Sequence, residues 1–269
     1  MIAWFAAFAA AAPSDKPREE EIVDGLPPWM EHGEQVRFDV VRDLLASGNT
    51  VGALDILRVM RADGVESPLA DLYQGAALRL DGVTGEAERL LLQAQKKLRD
   101  DPRPSAELCL LYADDRRLDE AIEACKRATR ADAGADASMF NNLAFLLLSA
   151  GRAEEALPAA ERAIELDGGD AVYRNNLALV QATLGREDQA FRTLQSTMRK
   201  ADAAYMVGVA VEGARGPEAA AHWFEKALQH EPDHELTRRH LSSATTEPVP
   251  AEPSTSLPPA PEGAPEESP

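Results

Sequence analysis

The most regular stretch of the chain runs from residue 137 to residue 200. In "ASMFNNLAFLLLSAGRAEEALPAAERAIELDGGD" (137–170), apolar side chains recur at helical spacing on both sides of Gly151. That pattern predicts two amphipathic helices split by a glycine turn. The following stretch, "AVYRNNLALVQATLGREDQAFRTLQSTMRK" (171–200), repeats it without a gap. Asn141-Asn142-Leu143-Ala144 falls over Asn175-Asn176-Leu177-Ala178, Gly151 over Gly185, and Ala156 over Ala190.

Extended both ways, this register gives six units starting at residues 34, 68, 102, 137, 171 and 201, the last ending near 234. The twentieth position is alanine in every unit: Ala53, Ala87, Ala121, Ala156, Ala190 and Ala220. The eighth is small after the first unit: Val41, Gly75, Cys109, Ala144, Ala178 and Gly208. Larger side chains at position 24, such as Leu57, Leu91, Leu194 and Phe224, fill the space that these small residues leave. No single unit can bury its apolar stripe alone, so neighbours must stack into one continuous core and the ends need a polar cover. The segment "ELTRRHLSS" (235–243) is expected to be that cover, a short helix with Leu236 and Leu241 inward and Arg238 and Arg239 outward.

This pattern resembles the tetratricopeptide-repeat family over residues 34–234. The resemblance implies an all-α fold: a right-handed α-solenoid of about six helix-turn-helix repeats with a C-terminal capping helix at 235–243. The chain departs from the family pattern in places. The aromatic of position 4 survives only as Phe140, and the proline of position 32 only as Pro232. The 171–200 unit is four residues short, which predicts a trimmed second helix, and Pro158 falls early in a second helix.

Composition agrees with close helix packing. Hydrophobic residues make up 45% of the chain but aromatics only 5%, so most apolar content is small or aliphatic; sheets favour β-branched and aromatic residues. The net charge is −18, of which −4 lies in residues 13–33 and −5 in residues 244–269. Half the acidity therefore sits in flanks, an acidic linker (13–33) and a Pro-, Ser- and Glu-rich tail (244–269) that cannot fold alone. No basic stripe is present, which argues against a nucleic-acid partner. The chain opens "MIAWFAAFAAAAP", an apolar run ending in small residues. It predicts a signal peptide over 1–12, cut after Ala11, and export to the periplasm, although no Lys or Arg precedes the run. If the segment is not a signal, the protein is cytoplasmic.

Two constellations invite chemistry. His230-Glu231-Pro232-Asp233-His234 spells the H-E-x-x-H zinc motif, which needs both histidines on one face of a continuous helix. In the repeat register Pro232 falls in the turn between helices, so no metal site is expected and both histidines should lie on the surface. Cys109 and Cys125 occupy positions 8 and 24 of one unit, where its two helices face each other. They form either a disulfide, as suits an exported protein, or two small buried side chains; the sequence leaves both open. No phosphate-binding loop, dinucleotide fingerprint or nucleophile elbow is found. Catalytic residues, a cofactor and a small-molecule substrate are therefore not expected.

In the repeat family the first helix of each unit lines a concave groove, and positions 2, 5, 6, 9, 12 and 13 face a bound peptide. Carried onto this chain, the resemblance implies a groove formed by Asn141, Asn142, Phe145, Leu148, Asn175, Asn176, Leu179, Tyr205, Met206 and Val209. Asn142 and Asn176 share position 6, and an amide both donates to and accepts from a peptide backbone. The groove lacks the Lys and Arg that would clamp a terminal carboxylate. The expected function is a non-catalytic protein–protein interaction scaffold that binds an apolar or amphipathic segment. "NNLAFLLLSAGR" and "YRNNLALVQATLGR" behind an export segment also resemble repeat proteins of bacterial pilus assembly, including pilotins and Flp/Tad proteins. That similarity implies a cell-envelope location and a secretin or pilus-assembly component as partner.

Overall fold

The computed structural model describes residues 33–130 and 134–244. The predicted signal peptide, all but the last residue of the acidic linker, and the tail from residue 245 lie outside the described residues. Those described form thirteen helices and no strand: α1 (Glu34–Ala46), α2 (Thr50–Ala62), α3 (Pro68–Leu80), α4 (Thr84–Lys97), α5 (Arg103–Asp114), α6 (Leu118–Arg130), α7 (Ala137–Ser149), α8 (Ala153–Leu166), α9 (Ala171–Thr183), α10 (Glu187–Gln195), α11 (Lys200–Arg215), α12 (Pro217–His230) and α13 (Glu235–Ala244). They pack as six successive helix pairs, each stacked on the next, with α13 against the last.

The turn inside each pair is set by backbone conformation at one position. Gly48, Gly82, Gly151 and Gly185 adopt φ between 74° and 78° at position 15 of their units, and Arg116 takes the same place at 60°. Glycine enters this left-handed region without a Cβ clash, whereas Arg116 must bear one. Second helices begin with acids, among them Glu86, Asp119, Glu154, Glu187 and Glu218. These carboxylates complement the positive helix end. Asp136 and Asp170 cap first helices by accepting from the backbone N–H of Met139 (3.0 Å) and Val172 (2.7 Å).

Close approach of the paired helices follows from the small positions. All six position-20 alanines are 0% exposed. A Cβ built on Gly75 would lie 2.7 Å from Leu91 Cγ, and one on Gly208 would lie 2.7 Å from Phe224 Cε1. Position 8 thus meets position 24 across the pair, and in the third unit that meeting is a covalent bond. Cys109 and Cys125 form a disulfide with Cα atoms 5.1 Å apart, joining α5 to α6. Of the two readings the sequence left open, the structure has the bridge. Pro158 lies in the sixth position of α8, so it removes one helical hydrogen bond. The trimmed helix of the fifth unit is α10, with nine residues.

The C-terminal cap differs from its expected packing. Leu236 is 50% exposed and Leu241 38% exposed, so neither is the inward anchor. The buried groups are His234 and Thr237, at 2% and 0%. His234 Nδ1 lies 2.7 Å from Thr237 Oγ1 and 3.4 Å from the Thr237 backbone N–H, while Nε2 lies 3.0 Å from Asp202 Oδ1 on α11. An N–H pointing at Nδ1 makes that nitrogen the acceptor, which leaves the proton on Nε2 to be donated to Asp202. A second histidine, His240, pairs with Glu212 of α11 at 2.8 Å. The cap is therefore fastened by polar staples rather than by these leucines. Arg238 and Arg239 do point outward, pairing with Asp233 and Glu235.

Candidate partner-binding face

The first helices of successive units, α1, α3, α5, α7, α9, α11 and then α13, lie side by side. At three of the six boundaries, position 5 of one meets position 6 of the next, forming a rung. Phe38 packs on Tyr73 with ring centroids 5.8 Å apart. The side-chain oxygen of Asn141 accepts from Asn176 Nδ2 at 2.8 Å. Tyr205 meets His240 edge to face at 6.0 Å.

These rungs sort the ten predicted groove residues. Asn142, Phe145 and Leu148 on α7, Leu179 on α9, and Met206 and Val209 on α11 are half-buried. They supply an apolar strip with one free-standing amide position at Asn142. Asn141 is 7% exposed and lies below that surface, contrary to its place in the predicted groove. Asn176 spends its amide N–H on Asn141, so the matched position-6 pair, Asn142 and Asn176, are not equivalent. Asn175 is half-buried, and its side-chain oxygen is buried with no hydrogen-bond partner. Tyr205 is turned toward the cap, with its ring 5.7 Å from His234 and 6.1 Å from Phe224. Burial, reinforced by the nearby Glu212 carboxylate, pushes its phenol up, so Tyr205 stays neutral and serves packing.

The same face is charged toward the N-terminal units, which the sequence reading overlooked. Arg79 at position 12 of the second unit donates to Glu107 (3.0 Å) and to Asp114 (3.3 Å) of the third, and its side chain is only 12% exposed. Arg103 donates to Tyr73 Oη at 3.0 Å while also holding Asp101. Burial opposes ionisation of Asp101, yet the bonds from Arg103 hold its carboxyl below the usual carboxylate range. Position 12 of the second unit and positions 6 and 13 of the third hold Arg79, Glu107 and Asp114, charges readable in the sequence although their pairing across the unit boundary is not. Arginines are present on this face here, already matched by carboxylates.

The two histidines of the H-E-x-x-H stretch do not come together. His230 stacks on Phe191 with rings 6.2 Å apart, while His234 is buried against Asp202 and Thr237. The turn at 231–234 sends the two imidazoles to different neighbours, as the position of Pro232 predicts. The expectation that both are surface histidines is wrong for His234. Asp202, His234 and Thr237 form a hydrogen-bonded chain, but Thr237 is 0% exposed, and the chain closes a helix end rather than opening onto solvent.

Residues 137–170 match the tetratricopeptide repeat model. No curated protein matches the chain. Among solved structures, YrrB, described as a TPR protein with an unusual peptide-binding site, is similar at a TM-score of 0.55 and 21% identity, covering 69% of this chain and 96% of that one. PilF of Pseudomonas aeruginosa is similar at a TM-score of 0.57 and 15% identity, covering 78% of this chain and 96% of that one. At these identities the likeness is one of fold. The fourth unit is thus a tetratricopeptide repeat in sequence, and the chain around it folds as an all-α solenoid of tetratricopeptide type, an architecture of protein–protein interaction scaffolds.

Proposed function

We propose that this protein is a non-catalytic scaffold of the bacterial cell envelope that holds an apolar or amphipathic partner segment across the first helices of units four to six. The observation that carries the reading is the strip of half-buried Asn142, Phe145, Leu148, Leu179, Met206 and Val209, which runs over three consecutive first helices. A surface of apolar side chains with a few amides suits a helix face or an extended segment. A fold of this type carries a peptide-binding site in YrrB. The envelope part of the reading is supported by the apolar N-terminal run and by the Cys109–Cys125 disulfide, since such bonds persist in oxidising compartments. A pilus or secretion-system component, such as a secretin, is the partner class proposed.

The test is affinity capture from the native host with wild type and an Asn142→Ala, Leu179→Glu variant. Asn141 and Asn176 stay untouched because their bond joins two units. Capture of an envelope-assembly component by wild type and its loss with a normally folded variant is the expected result. Retention of the same component by the variant would overturn the face assignment. Recovery of cytoplasmic proteins alone, with residues 1–11 intact in the host protein, would overturn the envelope location.

A further inference from the structure

The boundary between the first and second units departs from the repeat pattern. Position 7 is a buried leucine or valine in the later units: Leu108, Leu143, Leu177 and Val207. The second unit holds Gln74 there, half-buried, and its side-chain amide makes no hydrogen bond to the described residues. Gln74 stands at the wall of a recess of about 330 Å³, open on one side, whose other walls are Leu54, Leu57, Arg58 and Arg61 of α2. Leu57 is buried and Leu54 half-buried, whereas both arginines are exposed, so the floor is apolar and the rim cationic. Both arginines have capacity to spare. Arg58 pairs with Asp55 at 3.0 Å, but both side chains lie mostly in solvent, and little is lost when such a pair opens. Arg61 donates to Asp71 at 3.0 Å, and the same carboxylate receives Lys97 at 3.2 Å. Asp71 therefore keeps a cation if Arg61 turns away. Three cations, Arg58, Arg61 and Lys97, stand here against the two carboxylates of Asp55 and Asp71.

We propose that this recess is a second binding site, separate from the first-helix strip, for a peptide segment that sets an apolar side chain beside a single carboxylate. Leu54 and Leu57 take the apolar side chain out of water. Arg58 and Arg61, three residues apart on α2, take the carboxylate, to which a guanidinium presents paired N–H donors. Gln74 meets the segment's backbone, since its amide both donates and accepts. A single carboxylate is selected over an acidic run because the chain's overall charge of −18 repels a highly charged anion. A peptide is selected over a free small acid because the recess is open on one side, whereas small-molecule sites bury most of their ligand. Helices α7, α9 and α11 contribute nothing to the recess, so the two sites stand or fall separately.

The test is an NMR titration of the isotope-labelled full chain with the blocked hexapeptide acetyl-Gly-Ser-Leu-Glu-Ser-Gly-amide, whose only charge is its glutamate. Saturable shifts at the Gln74 side-chain amide and at the Leu54 and Leu57 backbone amides are the expected result. Arg58→Gln with Arg61→Gln should weaken binding about tenfold, through loss of the charge-assisted bonds. Gln74→Leu restores the kind of side chain that the later units carry, so the fold is kept, and should weaken binding about fivefold. The same peptide with glutamine in place of glutamate should lose saturation on wild type, a comparison that holds even if a variant fails to fold. Absence of shifts at Gln74, Leu54 and Leu57 would overturn the site, and so would equal binding of the glutamine peptide or unchanged binding by the folded double arginine variant. Isovalerate carries the same carboxylate and apolar group without a backbone, and equally tight binding of it would overturn the peptide as ligand.

Discussion

The side-chain oxygen of Asn141 accepts a 2.8 Å hydrogen bond from Asn176, and this single amide contact joins first helices that belong to different units. Its neighbour in register, Asn175, has the same oxygen buried and unpartnered. Two asparagines that look alike in sequence therefore predict opposite mutational outcomes. Asn141→Leu strands the Asn176 amide and should lower stability by about 1–3 kcal/mol. Asn175→Leu removes an unmet acceptor and should be neutral or stabilising. Urea unfolding of the two variants checks this, and equal losses would show that the rung contributes nothing.

Much of this molecule is legible in its sequence, for physical reasons that also explain the rest. The alanines at position 20 and the small residues at position 8 report helix contact directly, because side-chain volume limits how close two helices come. The short fifth unit appears as a short α10. What the sequence pattern does not carry depends on partners distant in the chain. Position 6 gives the same letter to Asn142 and Asn176, yet only the second is engaged, because its partner lies 35 residues earlier. Hydrophobicity alone turns Leu236 and Leu241 of the cap inward. His234, 32 residues from Asp202, became the buried anchor instead. The Arg79 bridge to Glu107 and Asp114 crosses a unit boundary and is invisible to any within-helix pattern.

Helix α11 carries a matched pair of glycines. A Cβ on Gly208 would stand 2.7 Å from the Phe224 ring, and Phe224 is 2% exposed with His240 packed on it at 4.7 Å. Gly208→Ala should therefore cost about 1–3 kcal/mol through overpacking. Gly213 has open space at the same point, so Gly213→Ala should stabilise by roughly 0.5–1 kcal/mol through helix propensity. Chemical denaturation of both variants checks this. A smaller loss at Gly208 than the gain at Gly213 would mean that the ring moves aside freely.

The disulfide occupies the pair of positions that the fourth unit fills with Ala144 and Ala160. Cys109→Ala with Cys125→Ala is thus a shape the repeat already tolerates, and the comparison isolates the cross-link. Closing a loop of this size should contribute roughly 3 kcal/mol. The double variant should lose about that much against oxidised wild type and much less against wild type kept reduced. Mass analysis under non-reducing conditions should find no free thiol.

The cap should loosen in acid, and Asp202 sets the direction. The hydrogen bond from Arg199 lowers its carboxyl below the usual range, burial opposes the shift, and the bond to His234 adds to the lowering. A carboxyl whose folded pKa lies below its unfolded one stabilises above the unfolded value, about 3.9. That stability is lost as pH falls through the folded value. Three groups from three places face this carboxylate or its partners: Arg199 at the start of α11, Glu231 from the turn after α12, and His234 before α13. Arg199 is largely in solvent, so the net contribution should be of order 1 kcal/mol rather than that of a buried pair. Hydrogen exchange of α13 amides between pH 6 and pH 3 reads it out. Asp202→Asn should exchange faster than wild type at pH 6, and the two should converge toward pH 3 as wild type loses its charge. A difference that persists unchanged into acid would mean that the cap is held by packing around Tyr205 and Phe224, with Asp202 contributing only its shape.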